Sequence, residues 1–351
     1  MPVLTTVWDG TQWMGGGTTT PPTGLPPSPW VYESFTIGPT PVTLAAFTLG
    51  SAAGGSTSFT AWNDECVNTG NKPGAVNLGL GLHRTYSPGG IVADFMTTAA
   101  AGDVANGVAS IWSCKPDISQ VASGNHDATF TSFFNSIPAG HRAWLMMWHE
   151  PWDDQFVWST YRAAQARVWG LLNSSNADRD LVKWGILGTG YDFFVGRAQE
   201  NFFPAGGEYD YVGTDPYDFY RNLDVMPESP RGRNNHRTAA QLFSPATEFA
   251  NSVGKPVVVG ELGYHPDPTY LDGPMSPAGV PSKPYRFRSA IEFCVANGVE
   301  AVAMFHAPNG DDGPWWMNCV HNFAIPDDRS TPDVASVTEF RNQLALYGKQ
   351  A

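Results

Sequence analysis

Two glutamates, far apart along the 351-residue chain, each lie at the end of a short apolar run. Residues 143–151 read AWLMMWHEP and contain Glu150, and residues 256–263 read PVVVGELG and contain Glu261. Two carboxyl groups can cleave an acetal, because one protonates the leaving oxygen while the other, ionised, stabilises the oxocarbenium-like centre. Either glutamate alone would be explained as well by a helix cap or by a pair with arginine. Together they predict hydrolysis of a glycosidic bond.

The surroundings of the two glutamates predict different roles for them. Glu150 lies between a histidine and a proline, and tryptophans flank this triplet on both sides. Apolar neighbours disfavour ionisation and raise a carboxyl pKa, which suits a general acid/base. Glu261 follows Gly260, a small residue that we expect to leave room for a sugar ring to approach a nucleophile. A separation of about 5–5.5 Å between the carboxyl groups would give a retaining, double-displacement reaction.

Eight short apolar runs, separated by stretches with helical spacing, predict the elements that position these glutamates. Near-continuous apolarity is typical of strands buried on both faces, and alternation with helices favours parallel βαβ units. Eight repeats favour an α/β fold, a single (β/α)₈ TIM barrel, whose catalytic groups lie at the carboxyl ends of the strands. Glu150 then follows the fourth strand, and Glu261 ends the seventh. The runs begin at Val42, Val76, Val108, Ala143, Leu181, Tyr209, Pro256 and Ala301, and the clearest helical stretches span 161–172, 237–253 and 283–297.

The composition changes sharply near the N-terminus and predicts three segments. Residues 1–14 contain VWDGTQW, which predicts a short β segment with a turn. Residues 15–29 read GGGTTTPPTGLPPSP, a low-complexity linker that cannot bury enough apolar surface to order itself. The barrel domain is predicted to occupy residues 30–351.

Charge and motif content exclude several classes of function. The formal net charge of −13 argues against a nucleic-acid partner or an anionic membrane surface. No apolar run approaches the ~20 residues needed to cross a bilayer, and the start of the chain lacks the features of a secretory signal. Neither a cofactor nor a metal ion is expected, because no glycine-rich phosphate loop follows a strand and the four cysteines lack metal-binding spacing. These cysteines form either free buried thiols, the simpler interpretation in a chain this large, or two disulfides.

The motifs resemble those of clan A glycoside hydrolases, in particular family 26, the mannanase-like family. That family has a histidine directly before its acid/base, as His149 precedes Glu150 here. Its segment at the sixth strand resembles DYVGTDPY at residues 210–217, which puts Tyr217 where a tyrosine contacts the nucleophile. Residues 255–263, KPVVVGELG, resemble the family's seventh-strand motif. Arg84 matches an arginine that lies near the nucleophile in the clan.

The resemblance spans roughly residues 42–308 and implies a retaining, endo-acting hydrolase of a polysaccharide. It assigns Glu150 as the acid/base and Glu261 as the nucleophile, with His149, Tyr217 and Arg84 close to the substrate. Many family 26 mannanases continue the acid/base motif with Met-Asn-Gly, whereas PWDD follows here. The substrate is therefore not expected to be mannan.

Other candidates for substrate contact have alternative explanations. Trp152 is predicted to present a flat apolar face to a sugar ring. The eighth run lacks the tryptophan common in the clan, and Trp315 and Trp316 either replace it or form a hydrophobic lid over the barrel rim. Asp215 shapes the rim or caps a following helix, and capping is the simpler interpretation.

The N-terminal VWDGTQW followed by a Pro/Thr linker resembles the start of minor tail proteins from phages that infect actinobacteria. This resemblance implies a virion or extracellular location, a bacterial cell-wall or surface glycan as substrate, and other phage tail proteins as partners. The alternative is a non-catalytic barrel that binds glycan as a tail adhesin, although a pure binder does not need a paired acid and base. An acyl-transferring hydrolase is disfavoured, because no Gly-x-Ser-x-Gly elbow is present.

Overall fold

The computed structural model of the protein describes residues 7–8, 13–14, 48–53, 80–87, 90–154, 156–218, 237–264, 283–306, 339–340 and 343. Within these ranges the strands are β1 (Val7–Trp8), β2 (Trp13–Met14), β3 (Thr48–Ala53), β4 (Leu82–Ser87), β5 (Ala109–Cys114), β6 (Ala143–Met147), β7 (Val182–Thr189), β8 (Tyr211–Asp215), β9 (Tyr217–Asp218), β10 (Val257–Tyr264) and β11 (Val299–His306).

Eight of these strands form a closed parallel ring. From β3 to β8 each strand pairs with the next, β8 pairs with β10, and β10 pairs with β11. The ring closes because β11 also pairs with β3, from Ala301 opposite Thr48 to His306 opposite Ala53. The predicted (β/α)₈ barrel is thus confirmed, with β6 as its fourth strand and β10 as its seventh. The short β9 adds to the end of β10, and β1 and β2 form a separate antiparallel pair.

Helices follow the strands and cover the outside of the barrel. Two of them begin with a capping box, in which the side chains of Thr189 and Thr238 each accept from a backbone N–H three residues on. The helices are α1 (Ala101–Asn106), α2 (Ile118–Ser123), α3 (Asp127–Asn135), α4 (Trp158–Asn173), α5 (Gly190–Phe194), α6 (Arg197–Asn201), α7 (Ala239–Ser252) and α8 (Lys283–Ala296), and short 3₁₀ turns span Phe95–Thr97 and Pro151–Asp154. None of the helices in the described ranges is long and apolar enough to cross a membrane.

Alternation along the strands divides the core into two layers. Odd and even positions of a strand point to opposite faces, so each barrel strand sends one set of side chains inward and the other toward the helices. The larger layer lies between strands and helices and is rich in aromatic side chains. The smaller layer fills the barrel and consists of Leu82, Ile111, Trp144, Met146, Leu187, Tyr211, Val258, Ala301 and Ala303.

A β-bulge in β10 interrupts this alternation where the site begins. Val257 and Val259 pack outward and Val258 packs inward, as expected. The register with β11 shifts between Val259 and Leu262, and Leu262 again packs outward. Gly260 and Glu261 both lie on the inner side as a result. Without the extra residue, Glu261 would share the outward face of Val257 and Val259, so the bulge directs its carboxylate into the barrel mouth.

The predicted elements agree with the structure except at some boundaries. All eight predicted strands overlap barrel strands, and the three clearest helical stretches overlap α4, α7 and α8. The second strand does not end at Arg84 but continues to Ser87, because its pairing with β5 runs to Cys114. Cys114 and Cys294 are free and buried, as expected. The linker, Cys66, Cys319, Trp315 and Trp316 lie outside the described residues.

Candidate active site

The carboxylate of Glu261 is bound on both oxygens by phenols from opposite parts of the barrel. Tyr86, on the second barrel strand, donates to Oε1 at 2.5 Å, and Tyr217 donates to Oε2. Burial, together with the negative charge of Glu261, raises the pKa of Tyr217 well above its usual range. Burial likewise raises the pKa of Tyr86 well above 10. Both phenols therefore keep their protons and act as hydrogen-bond donors to Glu261.

A fully buried arginine lies beneath this carboxylate. Nη1 of Arg84 donates to both oxygens of Asp215, at 3.0 and 3.1 Å, and Nη2 lies 3.4 Å from Oε1 of Glu261. Its side chain is 0% exposed, so its charge is balanced by these carboxylates rather than by water. Arg84 thus supplies the positive charge beside Glu261 of β10.

Both candidate catalytic glutamates lie close enough to Asp215 to influence its pKa. Burial raises its pKa well above the usual range, Arg84 opposes this rise, and the negative charges of Glu261 and Glu150 add to it. The same two glutamates contribute to the raised pKa of Tyr217. Glu150 and Glu261, 111 positions apart in the sequence, therefore share one electrostatic environment at the rim. Asp215 does not cap a helix but pairs with Arg84, a contact between strands two and six that no local pattern reveals.

The segment that carries Glu150 has an unusual backbone. Trp148 and Glu150 have φ values of +54° and +56°, in the left-handed region that bulky residues rarely adopt. Neighbouring strands hold the segment on both sides. The Trp148 N–H donates to the Cys114 carbonyl at 2.8 Å, and the Glu150 N–H donates to the Leu187 carbonyl at 3.2 Å. Each left-handed residue costs about 1–3 kcal/mol, and such strain concentrates at sites where a side chain must be directed to a fixed position.

Buried polar contacts also fix the strand end just before this segment. Gln165 of α4 donates to the Met147 carbonyl at 3.1 Å and accepts from the Trp184 indole N–H at 3.0 Å. The Trp148 indole N–H donates to the Pro116 carbonyl at 2.5 Å. These contacts satisfy groups that would otherwise be buried unpaired, and they determine where the turn toward Glu150 begins.

His149 is a neutral imidazole between Ser113 and Tyr86. Its Nδ1 lies 3.2 Å from the Ser113 hydroxyl, and its ring meets the Tyr86 ring edge-on at 5.4 Å between centroids. Burial, with the positive charges of Arg84 and Lys115, lowers its pKa from 6.5 to about 2. His149 is therefore uncharged at any pH at which the protein would work, and it interacts with neighbours by hydrogen bonding.

Trp152 packs against protein groups in the structure. Its ring stacks on Trp158 at 5.6 Å with an interplanar angle of 17°, and the Arg197 guanidinium lies 4.2 Å from its centroid. Arg197 is itself paired with Asp192 and lies 5.2 Å from the ring of Tyr191. These contacts link the loops after the fourth and fifth barrel strands. Contact of Trp152 with a sugar stays a prediction.

Gly260 does not serve the purpose expected from the sequence. A Cβ at this position would lie 2.0 Å from Nη1 of Arg84 and 2.7 Å from Oδ1 of Asp215. The missing side chain makes room for the buried ion pair and not for a sugar ring. The small residue is required because position 260, on the same face as Val258, points inward to where the guanidinium passes.

Sequence reasoning missed Tyr86 and Ser113. Tyr86 lies two residues after Arg84 on the same strand, and alternation puts both side chains on the inner face. Once Arg84 was placed near the nucleophile, the same position could therefore have been predicted for Tyr86. Ser113 occupies an ordinary position near the end of β5, and nothing local distinguishes it. Among the described residues, no group of three or more His, Cys, Asp or Glu side chains could hold a metal ion.

Comparison with known proteins identifies the fold but no sequence family. No known protein family and no curated protein matches the sequence. An endoglucanase of Pseudomonas stutzeri superposes with a TM-score of 0.51 at 12% identity, covering 89% of this chain and 97% of that one. A Bacteroidetes-affiliated family 5 cellulase gives 0.48 at 13% identity, with coverages of 86% and 92%. The catalytic domain of a family 26 endo-β-1,4-mannanase from a Bacillus species gives 0.44 at 12% identity, with coverages of 74% and 76%.

At 12% identity, the likeness to the endoglucanase shows a shared barrel fold.

Proposed function

We propose that the protein is a retaining glycoside hydrolase in which Glu261 is the nucleophile and Glu150 the general acid/base. The observation that carries the proposal is the environment of Glu261. Two protonated phenols and the buried Arg84 surround its carboxylate, at the carboxyl end of the seventh strand. Hydrogen bonds and a cation favour the charged form of a carboxyl group, which is the form that attacks.

The second carboxyl group required for the reaction comes from Glu150. It follows the fourth strand of a parallel barrel, so it lies on the same rim as Glu261, where groups from several strand ends meet. The strained turn that carries it, and its effect on Asp215 and Tyr217, support a position facing the mouth of the barrel. The neutral His149 beside it can donate a hydrogen bond to a sugar hydroxyl without adding charge.

In the first step an oxygen of Glu261 bonds to the anomeric carbon while the bond to the leaving oxygen breaks. The electron pair of that bond goes to the leaving oxygen, which takes the proton of Glu150. In the second step Glu150, now ionised, takes a proton from water as the water oxygen attacks the same carbon. The bond to Glu261 breaks, its electron pair returns to the carboxylate, and two inversions leave the anomeric configuration unchanged.

Substitution of each glutamate by glutamine tests the assignment. Glu150→Gln removes the proton donor, and we expect a loss of about 10²–10⁴-fold in kcat/KM on a natural glycan, with a much smaller loss in kcat/KM on an aryl glycoside whose leaving group needs no proton. Glu261→Gln removes the nucleophile and should abolish turnover on both substrates. Glu200→Gln, an exposed substitution on α6, serves as the matched control and should retain wild-type rates.

Azide distinguishes the two roles further. Azide needs no general base, so it should restore turnover to Glu150→Ala and give a glycosyl azide of retained configuration. In Glu261→Ala it should occupy the space of the lost carboxylate and give the inverted product. Near-normal turnover of either glutamine variant on the true substrate would contradict the assignment.

The substrate is proposed as a class of glycan, without a particular sugar. We propose an endo-acting enzyme on a bacterial cell-wall or surface glycan, supported by the resemblance of residues 1–29 to the start of phage minor tail proteins. A panel of purified wall glycans, followed by a reducing-sugar assay and product sizing, separates internal from terminal cleavage. Binding of a glycan with no new reducing ends would favour the adhesin alternative instead.

A further inference from the structure

We propose that Tyr86 is a positioning residue for the reaction, which fixes the rotation of the Glu261 carboxylate. This inference rests on the proposed function and extends it by a residue that neither the motifs nor the family resemblance assigns. The hydroxyl of Tyr86 donates to Oε1 at 2.5 Å, and that of Tyr217 donates to Oε2. A carboxyl group with a donor on each oxygen cannot rotate without losing a hydrogen bond.

Tyr86 is itself held in place from two sides. The Arg84 guanidinium lies 4.9 Å from its ring centroid, and the ring meets His149 edge-on at 5.4 Å. Both contacts involve the ring and leave the hydroxyl directed at Glu261. Tyr86 thus connects the second barrel strand, the residue before the acid/base and the nucleophile.

A hydrogen-bond donor and a cation both lie at Oε1, which distinguishes this side of the carboxylate. Oε1 accepts from Tyr86 and lies 3.4 Å from Nη2 of Arg84, whereas Oε2 accepts from Tyr217. Burial raises the pKa of Tyr86 well above 10, so its proton stays on the phenol and the hydrogen bond keeps its direction. Hydrogen bonds to an ionised acceptor are among the stronger ones in proteins, so the loss of this one should be measurable.

The test is Tyr86→Phe, which keeps the ring and its packing on Arg84 and His149 and removes the hydroxyl. Because the Glu261 carboxylate loses the donor that fixes its rotation, kcat should fall about tenfold with little change in KM. A residue that only supported the fold would lower the melting temperature and leave kcat of the folded protein unchanged.

Tyr211→Phe is the matched control. Tyr211 also lies inside the barrel and uses its hydroxyl, which donates to the Leu145 carbonyl at 3.0 Å and does not bind Glu261. This variant should lower thermal stability while kcat of the folded protein stays near the wild-type value. A kcat that does not fall in Tyr86→Phe, or that falls equally in Tyr211→Phe, overturns the proposal.

A second measurement does not depend on catalysis. A hydroxyl proton in a short bond to a carboxylate resonates far downfield in the proton NMR spectrum. The wild-type protein should show such a resonance that disappears in both Tyr86→Phe and Glu261→Gln and persists in Tyr211→Phe. If no glycan is cleaved, the proposed function fails while this resonance still supports the contact; if the resonance is absent from the wild type, the role of Tyr86 is overturned.

Discussion

At the scale of single residues, the site is a balance of buried charges around Arg84. One guanidinium serves two carboxylates, Asp215 and Glu261, and a third, Glu150, adds negative charge nearby. A buried ion pair contributes little net stability, but removal of one partner leaves an uncompensated charge. The arrangement therefore tolerates the loss of an anion better than the loss of the cation.

This asymmetry predicts losses of stability of different size for two substitutions. Arg84→Met should lower the free energy of unfolding by about 3–5 kcal/mol, because two buried carboxylates lose their cation. Asp215→Asn keeps an oxygen that accepts from Nη1 and leaves Arg84 with Glu261, so the loss should be about 1–2 kcal/mol. Urea denaturation of both variants at neutral pH measures the difference. An Asp215→Asn protein as unstable as Arg84→Met would show that the Asp215 charge, and not the guanidinium, holds the cluster together.

At the scale of elements, the position of the nucleophile depends on the bulge in β10. Two consecutive residues face inward there, and the first of them must be glycine for the second to reach its partners. We expect Gly260→Ala to disrupt the Arg84–Asp215 pair, to destabilise the barrel by about 1–3 kcal/mol through overpacking and to reduce activity severely.

Gly170→Ala provides a matched control of the opposite sign. Gly170 is exposed within α4, and a Cβ there meets nothing within 4 Å. Alanine is favoured over glycine in a helix by about 1 kcal/mol, so this variant should melt higher than the wild type with unchanged activity. Thermal melting and initial rates of the two variants give the comparison. A Gly260→Ala protein with wild-type melting and rates would mean that the ion pair can shift aside.

The strand order and the two glutamates could be predicted because both depend on local patterns. An apolar run of five or more residues is visible in the sequence, and a glutamate at its end lies at the barrel rim once the fold is known. The bulge at Gly260 was not predictable, because an added residue in β10 shows only in its register with β11. Contacts such as Tyr86 with Glu261, 175 positions apart, depend on the closure of the ring and have no local signal.

At the scale of the whole molecule, buried histidines make the stability of the barrel depend on pH. His141 lies outside the barrel mouth, with its Nε2 3.0 Å from the Ser110 hydroxyl, which in turn donates to Asp103. Burial lowers the pKa of His141 from 6.5 to about 4. Asp103 and His83 complete this buried group on the second strand and α1.

The sign of the pH dependence follows from the direction of the shift. Above pH 6.5 His141 is neutral in both the folded and the unfolded chain, and its contribution to stability is fully present. Between pH 6.5 and about 4 the unfolded chain binds a proton that the folded protein excludes, so the free energy of unfolding falls as the pH is lowered. Because the ring is partly exposed, we expect His141 to account for about 2 kcal/mol over this interval.

His141→Gln isolates this contribution, because glutamine can still hydrogen-bond Ser110 but does not titrate. Burial raises the pKa of Asp103, so this carboxyl group changes stability with pH in the opposite direction. His149 changes it in the same direction as His141. Both groups remain in the variant, so their contributions cancel when the variant is compared with the wild type. Urea denaturation at pH 7, 6, 5 and 4.5 gives the free energy of unfolding of the wild type and of the variant. We expect the two values to converge as the pH is lowered, because the stability of the variant depends less on pH. Parallel curves would show that His141 binds its proton equally well in both states, and that the buried Ser110–Asp103 group can accept a charged imidazole beside it.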